Sequence, residues 1–196
     1  MSVIVLVPIV EGHGEMQALP ALLHRLARKA NPAQPIRVNA PIRVKAGSFL
    51  NDADYFRRQV ALAAAKAAQA QGHVLILLDC EDDCPATRGP ELLRRAQAVR
   101  AGVSMRVFLA YREYETWFIA AAASLRGQSG LPDDLVAPED PERFRDAKGW
   151  LSERMPHSYD PIVHQLEFTR AFDLDQALRN DSFRRLHDQV HHLVAP

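Results

Sequence analysis

The sequence predicts an α/β protein: an open, mostly parallel, doubly wound sheet over residues 1–125, with a helical C-terminal appendage over residues 126–196 packed on it. Three observations carry this. Val3 to Val10 and "HVLILLD" are near-continuous apolar runs, the pattern of parallel strands buried on both faces. Segments of helical periodicity separate the apolar runs. Strands and helices alternating at this pitch imply right-handed crossovers.

In order, Val3 to Val10 is the first strand. "EMQALPALLHRLARKA" places Leu19, Leu22, Leu23 and Leu26 at helical spacing with basic residues late in the segment, and Pro20 predicts that the regular helix begins only near that residue. Asn31 ends it. "PIRVNAPIRV" reads as a second strand, which Pro41 confines to an edge or breaks in two. Asp52 to Gln71 is a long helix with Phe56, Val60, Ala63, Ala64 and Ala67 on one face, closed by Gly72. "HVLILLD" is a third, central strand that stops at Asp79. A helix from Pro90 to Arg100, a fourth strand in "VSMRVFLAY" and a helix in "REYETWFIAAAASL" complete the sheet region. Trp117, Phe118 and Ile119 are expected in the core. In the appendage, Asp140 with Pro141 starts one short helix, and Asp181 starts another with Phe183, Leu186, Val190 and Leu193 on one face.

Composition removes several function classes. Lys plus Arg and Asp plus Glu balance at 24 each, so no global basic field is available for gripping nucleic acid, and any such contact is a local patch. The first apolar run lacks a basic leader, contains Pro8 and runs into Glu11, so it reads neither as a signal peptide nor as a spanning helix. A cytoplasmic protein without membrane contact is expected. Cys80 and Cys84 straddle three acids in "DCEDDCP" and read as two inert thiols, with soft-metal or redox chemistry as the other use.

Ligands of open parallel sheets bind beyond the carboxyl ends of the strands, above all where the winding reverses. Glu11 follows the first strand, and Asp79, Glu81, Asp82 and Asp83 follow the third. In an extended segment Asp79 and Glu81 would point the same way, roughly 6.6 Å apart, and Asp83 would continue the row. Carboxylates converging at a crevice repel one another unless a cation sits between them, and oxygen-only ligands suit Mg2+, Mn2+ or Ca2+. Glu11, Asp79 and at least one of Glu81 and Asp83 are therefore the expected metal ligands. Gly12 and Gly14 are expected to turn the backbone sharply and leave room for a phosphate beside the helix N-terminus. The simpler account of either cluster alone is a strand-to-helix turn with an acid drawn to the helix dipole, or a solvated loop.

"VEGHGE" followed by a helix, with a hydrophobic strand ending in "LLDCEDD", resembles the TOPRIM signature of a strand-one glutamate and a strand-three Asp-x-Asp, over about the first 120 residues. With "REYETWF", "AKGWL" and "SFRRL" added, the whole chain resembles the bacterial domain-of-unknown-function family 4276, whose members are considered TOPRIM-like. The resemblance implies a TOPRIM/Rossmann-like sheet in which Glu11 matches the TOPRIM glutamate and Asp79 the first aspartate, with Glu81 in place of the second. It implies a Mg2+- or Mn2+-dependent nuclease that hydrolyses phosphodiesters of nucleic acid, working beside a partner ATPase in phage defence. No tyrosine-bearing topoisomerase domain fits in the chain.

Glu113 and Glu115 open the helix after the fourth strand, and one of them is a candidate to complete a second metal position, with Glu115 counted as catalytic; the simpler account is a pair of helix-dipole partners. Lys148 in "DAKGWL" is a candidate counter-charge to phosphate, since the nucleases resembled use a downstream lysine. His13, inside the acidic turn, reads as a turn-exposed histidine, and His187 with His191 as a surface cluster without a third ligand. The rival function is a non-catalytic module that binds metal or nucleotide and partners an ATPase.

Overall fold

The computed structural model describes residues 2–81 and 83–195 of the 196-residue chain; the expectation for Asp82 lies outside them. Among the described residues five strands are seen, β1 (Ile4–Val10), β2 (Ile36–Val38), β3 (Ile42–Arg43), β4 (His73–Asp79) and β5 (Ser104–Ala110), all paired in parallel in the order β2-β1-β4-β5 with β3 also on β1. The second predicted strand is both at the edge and broken in two: β2 pairs with Ile4 to Leu6 and β3 with Ile9 and Val10 of the same β1. Pro41, lacking an N–H, stands at the break.

From β1 the chain winds to one side of the sheet, and from β4 to the other, so the winding reverses between β1 and β4. On one face α3 (Ala53–Ala68) and α4 (Pro85–Val99) bury Phe56, Val60, Leu92 and Ala96 against Val7, Ile9, Ile76 and Leu78. The short α2 (Ala46–Asn51) joins them through Phe49. On the other face α1 (Glu15–Ala30) packs with the later helices α5 (Thr116–Ala120), α6 (Ala147–Ser152), α7 (Pro161–Ala171), α8 (Leu174–Ala177) and α9 (Asp181–Val194). Trp117, Phe118, Phe168, Phe172 and Phe183 form one chain of edge-to-face rings there. Trp117, Phe118 and Ile119 lie in the core as expected. Residues beyond 125 thus share one continuous core with α1 and the sheet.

Several helix boundaries differ from the sequence reading. α1 begins at Glu15, with Pro20 inside it: the ring removes one backbone bond, and burial of Ala18, Leu19, Leu22 and Leu23 along one face outweighs the loss. α4 likewise starts at Pro85, capped by Cys84, and carries Pro90 internally. The helix expected at Asp140 is a single 3-10 turn, Pro141–Arg143, although Asp140 accepts from the Glu142 amide at 3.0 Å as a cap does. α9 starts at Asp181 as expected, with Asn180 as its cap accepting from the Phe183 amide at 3.0 Å. Among the described residues no helix is long and apolar enough to cross a membrane.

Candidate functional site

The site is built where β1, β4 and β5 end. β1 and β4 are bonded neighbours with Val10 opposite Leu77, so Glu11 and Asp79 emerge side by side at the point where the winding reverses. A backbone hydrogen bond from Asp79 helps the Glu11 carboxylate keep its charge. β5 pairs Ala110 with Asp79 and delivers Glu113 and Glu115 to the same edge.

Asp79 Oδ1 accepts the Tyr114 amide at 2.9 Å. Its other oxygen, Oδ2, is 3.9 Å from Lys148 Nζ, which also lies 2.6 Å from Glu113 Oε1 and 3.3 Å from Glu115 Oε2. Glu113 Oε2 takes the amides of Ala147 and Lys148 at 2.8 and 3.1 Å, so it caps α6 and pins the lysine together. Glu115 is fully buried, and its Oε1 accepts from Tyr159 Oη at 3.0 Å and Gln165 Nε2 at 3.2 Å. Gln165 reaches Glu15 as well, at 3.3 Å, and Glu15 in turn accepts the Gly12 amide. The result is a buried polar wall of Glu15, Gln165, Glu115 and Tyr159 behind the Glu11–Asp79 edge.

These acids crowd around the ammonium of Lys148. Burial, then repulsion from Glu15 and Glu81, raises the Glu11 pKa. Burial, then Glu115, Glu15 and Glu11, raises that of Asp79 well above the usual carboxylate range, with Lys148 opposing. Burial pushes Glu115 up to about 7 against the pull of Lys148. Burial works against the Lys148 charge, but Glu115, Asp79 and Glu113 outweigh it and hold the ammonium protonated beyond its ordinary range.

The remaining predicted residues fall on a second side of the edge. The chain leaves the extended conformation at Glu81, whose φ is 45°, a left-handed value held by backbone pairing to Arg112. The Asp83 amide then turns back to the Cys80 carbonyl at 2.9 Å. The strand alternation expected to align Asp79, Glu81 and Asp83 is therefore interrupted. Instead the three line, with Glu11, a cavity of about 330 Å3 between α2 and α4. A cavity of about 320 Å3 on the other side is lined by Glu11, the turn Gly12 to Glu15, Asp79, Lys148 and Ile162. Asp83 is 3.7 Å from Arg88.

On the side where a β-carbon would stand, the two glycines face the chain's own atoms, while the turn they belong to lines the Lys148 cavity. A β-carbon on Gly12 would lie 2.6 Å from the Glu15 carboxylate. One on Gly14 would lie 2.0 Å from Gln165 Oε1 and 2.6 Å from the Pro161 carbonyl oxygen, so Gly14 lets α7 approach α1.

A family model described as Domain of unknown function (DUF4276) matches residues 10–191. The chain belongs to this family. No curated protein and no solved structure matches it. The matched span of this DUF4276 protein holds all of the site, from Glu11 to Gln165. Glu15, Tyr159 and Gln165 are site residues that sequence reasoning missed. Glu15 stood one helical turn from Glu11 and was visible as a second acid at the turn, whereas Tyr159 and Gln165 carry no local signal.

As a metal centre the DUF4276 site fits in its chemistry. Its donors are carboxylate oxygens, the choice of a hard cation. Glu115 Oε2 is buried and met only by the Lys148 ammonium at 3.3 Å, without hydrogen-bond geometry, and the acids repel one another. As the side chains stand, no three His, Cys, Asp or Glu residues among those described are gathered around one metal position, and the ammonium of Lys148 supplies the positive charge between Asp79, Glu113 and Glu115. His13 lines the Lys148 cavity. His187 and His191 stack on α9 with ring centres 6.2 Å apart. Cys80 is buried with its thiol pushed up to about 11, chiefly by desolvation, while Cys84 is exposed at the start of α4, where backbone amides lower its pKa.

Proposed function

We propose that this protein is a divalent-metal-dependent phosphodiester hydrolase of nucleic acid, a TOPRIM-type nuclease working beside a partner ATPase in phage defence. One observation carries the reading: Glu11 and Asp79 stand together at the switch point of a parallel sheet, with Lys148 Nζ 3.9 Å from Asp79. Glu11 and Asp79 would hold Mg2+ or Mn2+, with Glu81 and Asp83 as the acids of the adjoining cavity. Such an ion supplies Lewis-acid stabilisation of the phosphate and a hydroxide at neutral pH.

The chain's own groups do the rest. Lys148 binds a non-bridging phosphate oxygen, and Glu113 holds it in place through its ammonium and its backbone amide. Tyr159 and Gln165 orient the buried Glu115, which keeps the lysine charged. The amide of Tyr114 fixes one oxygen of Asp79 and leaves the other facing Lys148.

A second reading, a non-catalytic metal- or nucleotide-binding module that partners an ATPase, is favoured by the lysine itself, which already pairs with three carboxylates. One assay separates the two. Purified protein is incubated with plasmid, single-stranded DNA and RNA at low salt with Mg2+ or Mn2+, with and without the neighbouring gene product. Cleavage lost in Asp79→Ala and Glu11→Ala supports the hydrolase. The same background from wild type and Asp79→Ala in every condition supports the binding module.

A further inference from the structure

The two cavities that flank Glu11 and Asp79 differ in character. The one on the Lys148 side holds an ammonium shared among three carboxylates. The one between α2 and α4 has an apolar floor of Leu50, Leu78 and Leu109 below the acids Glu81 and Asp83. Arg88, the cation lining it among the described residues, is engaged by Asp83 at 3.7 Å and Glu91 at 3.1 Å. A phosphate is repelled from such a cavity, whereas a flat uncharged ring is not. Its polar atoms also want a partner of particular shape. Arg88 Nε is buried and faces Asp83 at 3.7 Å, beyond hydrogen-bond reach, and carboxylates such as those of Glu81 and Asp83 offer acceptors. An edge that presents an acceptor beside a donor answers both, and nucleobase edges do so.

We infer that the cavity between α2 and α4 seats one unpaired nucleobase, that of the nucleotide adjoining the phosphodiester held at Glu11 and Asp79. The inference rests on the hydrolase reading above and narrows its substrate to strands that are single or locally opened. At about 330 Å3 the cavity is at the small end of ligand sites, which run from roughly 300 to 1,000 Å3. It admits one ring system and not a stacked base pair, so a duplex must first release the nucleotide.

Gly47 provides the test, because it lines this cavity and a β-carbon there meets nothing within 4 Å. Gly47→Trp fills the cavity without backbone strain, and Gly47→Ser is the control that leaves it open. Binding is measured by fluorescence anisotropy at low salt on an Asp79→Asn background that does not cleave. The probes are a labelled single-stranded octanucleotide, its duplex, and a strand of the same length made wholly of abasic nucleotides.

The base-bearing strand should bind at least about tenfold more tightly than the abasic one, the effect of one enclosed base. Gly47→Trp should abolish that difference while leaving abasic binding and the melting temperature unchanged, and Gly47→Ser should preserve it. Unchanged base-dependent binding in Gly47→Trp, equal weakening of both strands, or duplex binding as tight as single-strand binding would each overturn the inference. Cleavage is scored separately with Asp79 restored: its absence in wild type removes the hydrolase reading, and the anisotropy still decides whether the cavity takes a base.

Discussion

Asp79 is the residue on which repulsion, burial and function meet. Asp79→Asn keeps an acceptor for the Tyr114 amide and removes a charge that Glu115, Glu15 and Glu11 all oppose. The apo protein should therefore melt at the same temperature or slightly higher, and the rise in melting temperature that Mg2+ gives the wild type should vanish; strong apo destabilisation would make Asp79 a structural hydrogen-bonding residue instead. Lys148→Met strands the buried Glu115 without a cation. The loss should be about 2 kcal/mol at pH 8, less than the ~3–5 kcal/mol of a fully buried pair because the lysine side chain is 36% exposed. Glu115 also sets a pH dependence. Its pKa is raised in the fold from 4.5 to about 7, so the folded state binds the proton more tightly than the unfolded chain. Its contribution is complete below about 4.5 and is lost as pH climbs toward about 7. Urea melts across that window should show wild-type stability falling, and Glu115→Gln should flatten the slope.

At the scale of elements, the α1–α7 contact depends on one missing side chain. Gly14→Ala would drive a methyl into Gln165 Oε1 and the Pro161 carbonyl. A loss of about 1–3 kcal/mol is expected, as for other overpacked contacts, measured by denaturant unfolding. Gln165→Ala should recover only part of it, because the Pro161 carbonyl is backbone and stays. If the double variant is as stable as Gln165→Ala alone, the close approach lies elsewhere. The split edge of β2 and β3 follows the same logic of missing groups: Pro41 cannot donate to the ladder, yet both halves find β1.

For the whole molecule, the helices after residue 125 hold Lys148, Tyr159 and Gln165 against a sheet that carries Glu11, Asp79 and Glu115. They also supply Phe168, Phe172 and Phe183 to the aromatic core around Trp117 and Phe118. A chain truncated after residue 125 should therefore expose that core and fail to give a cooperative melt by circular dichroism. A cooperative transition in the truncated chain would show that the sheet folds alone. Zero net charge bears on affinity: nucleic-acid binding by the isolated protein should be weak at physiological salt and fall steeply as salt rises, tested by anisotropy titrations at several salt concentrations.

The sequence by itself determined the sheet and the edge. Apolar runs ending in Glu11 and Asp79, helical spacing between them and the chain's short connections allow few arrangements other than neighbouring parallel strands with both acids at one crevice. Pattern also located the core faces of α1, α3 and α9, because period is a local property. What surrounds the acids was decided only by the tertiary structure. Whether Lys148, remote in sequence from both strands, comes to lie beside Asp79 depends on Glu113 capping α6, and whether Glu115 is buried depends on Tyr159 and Gln165 arriving from another part of the chain. Such contacts leave no periodic trace, since a hydrogen bond between distant segments constrains two single positions and nothing between them.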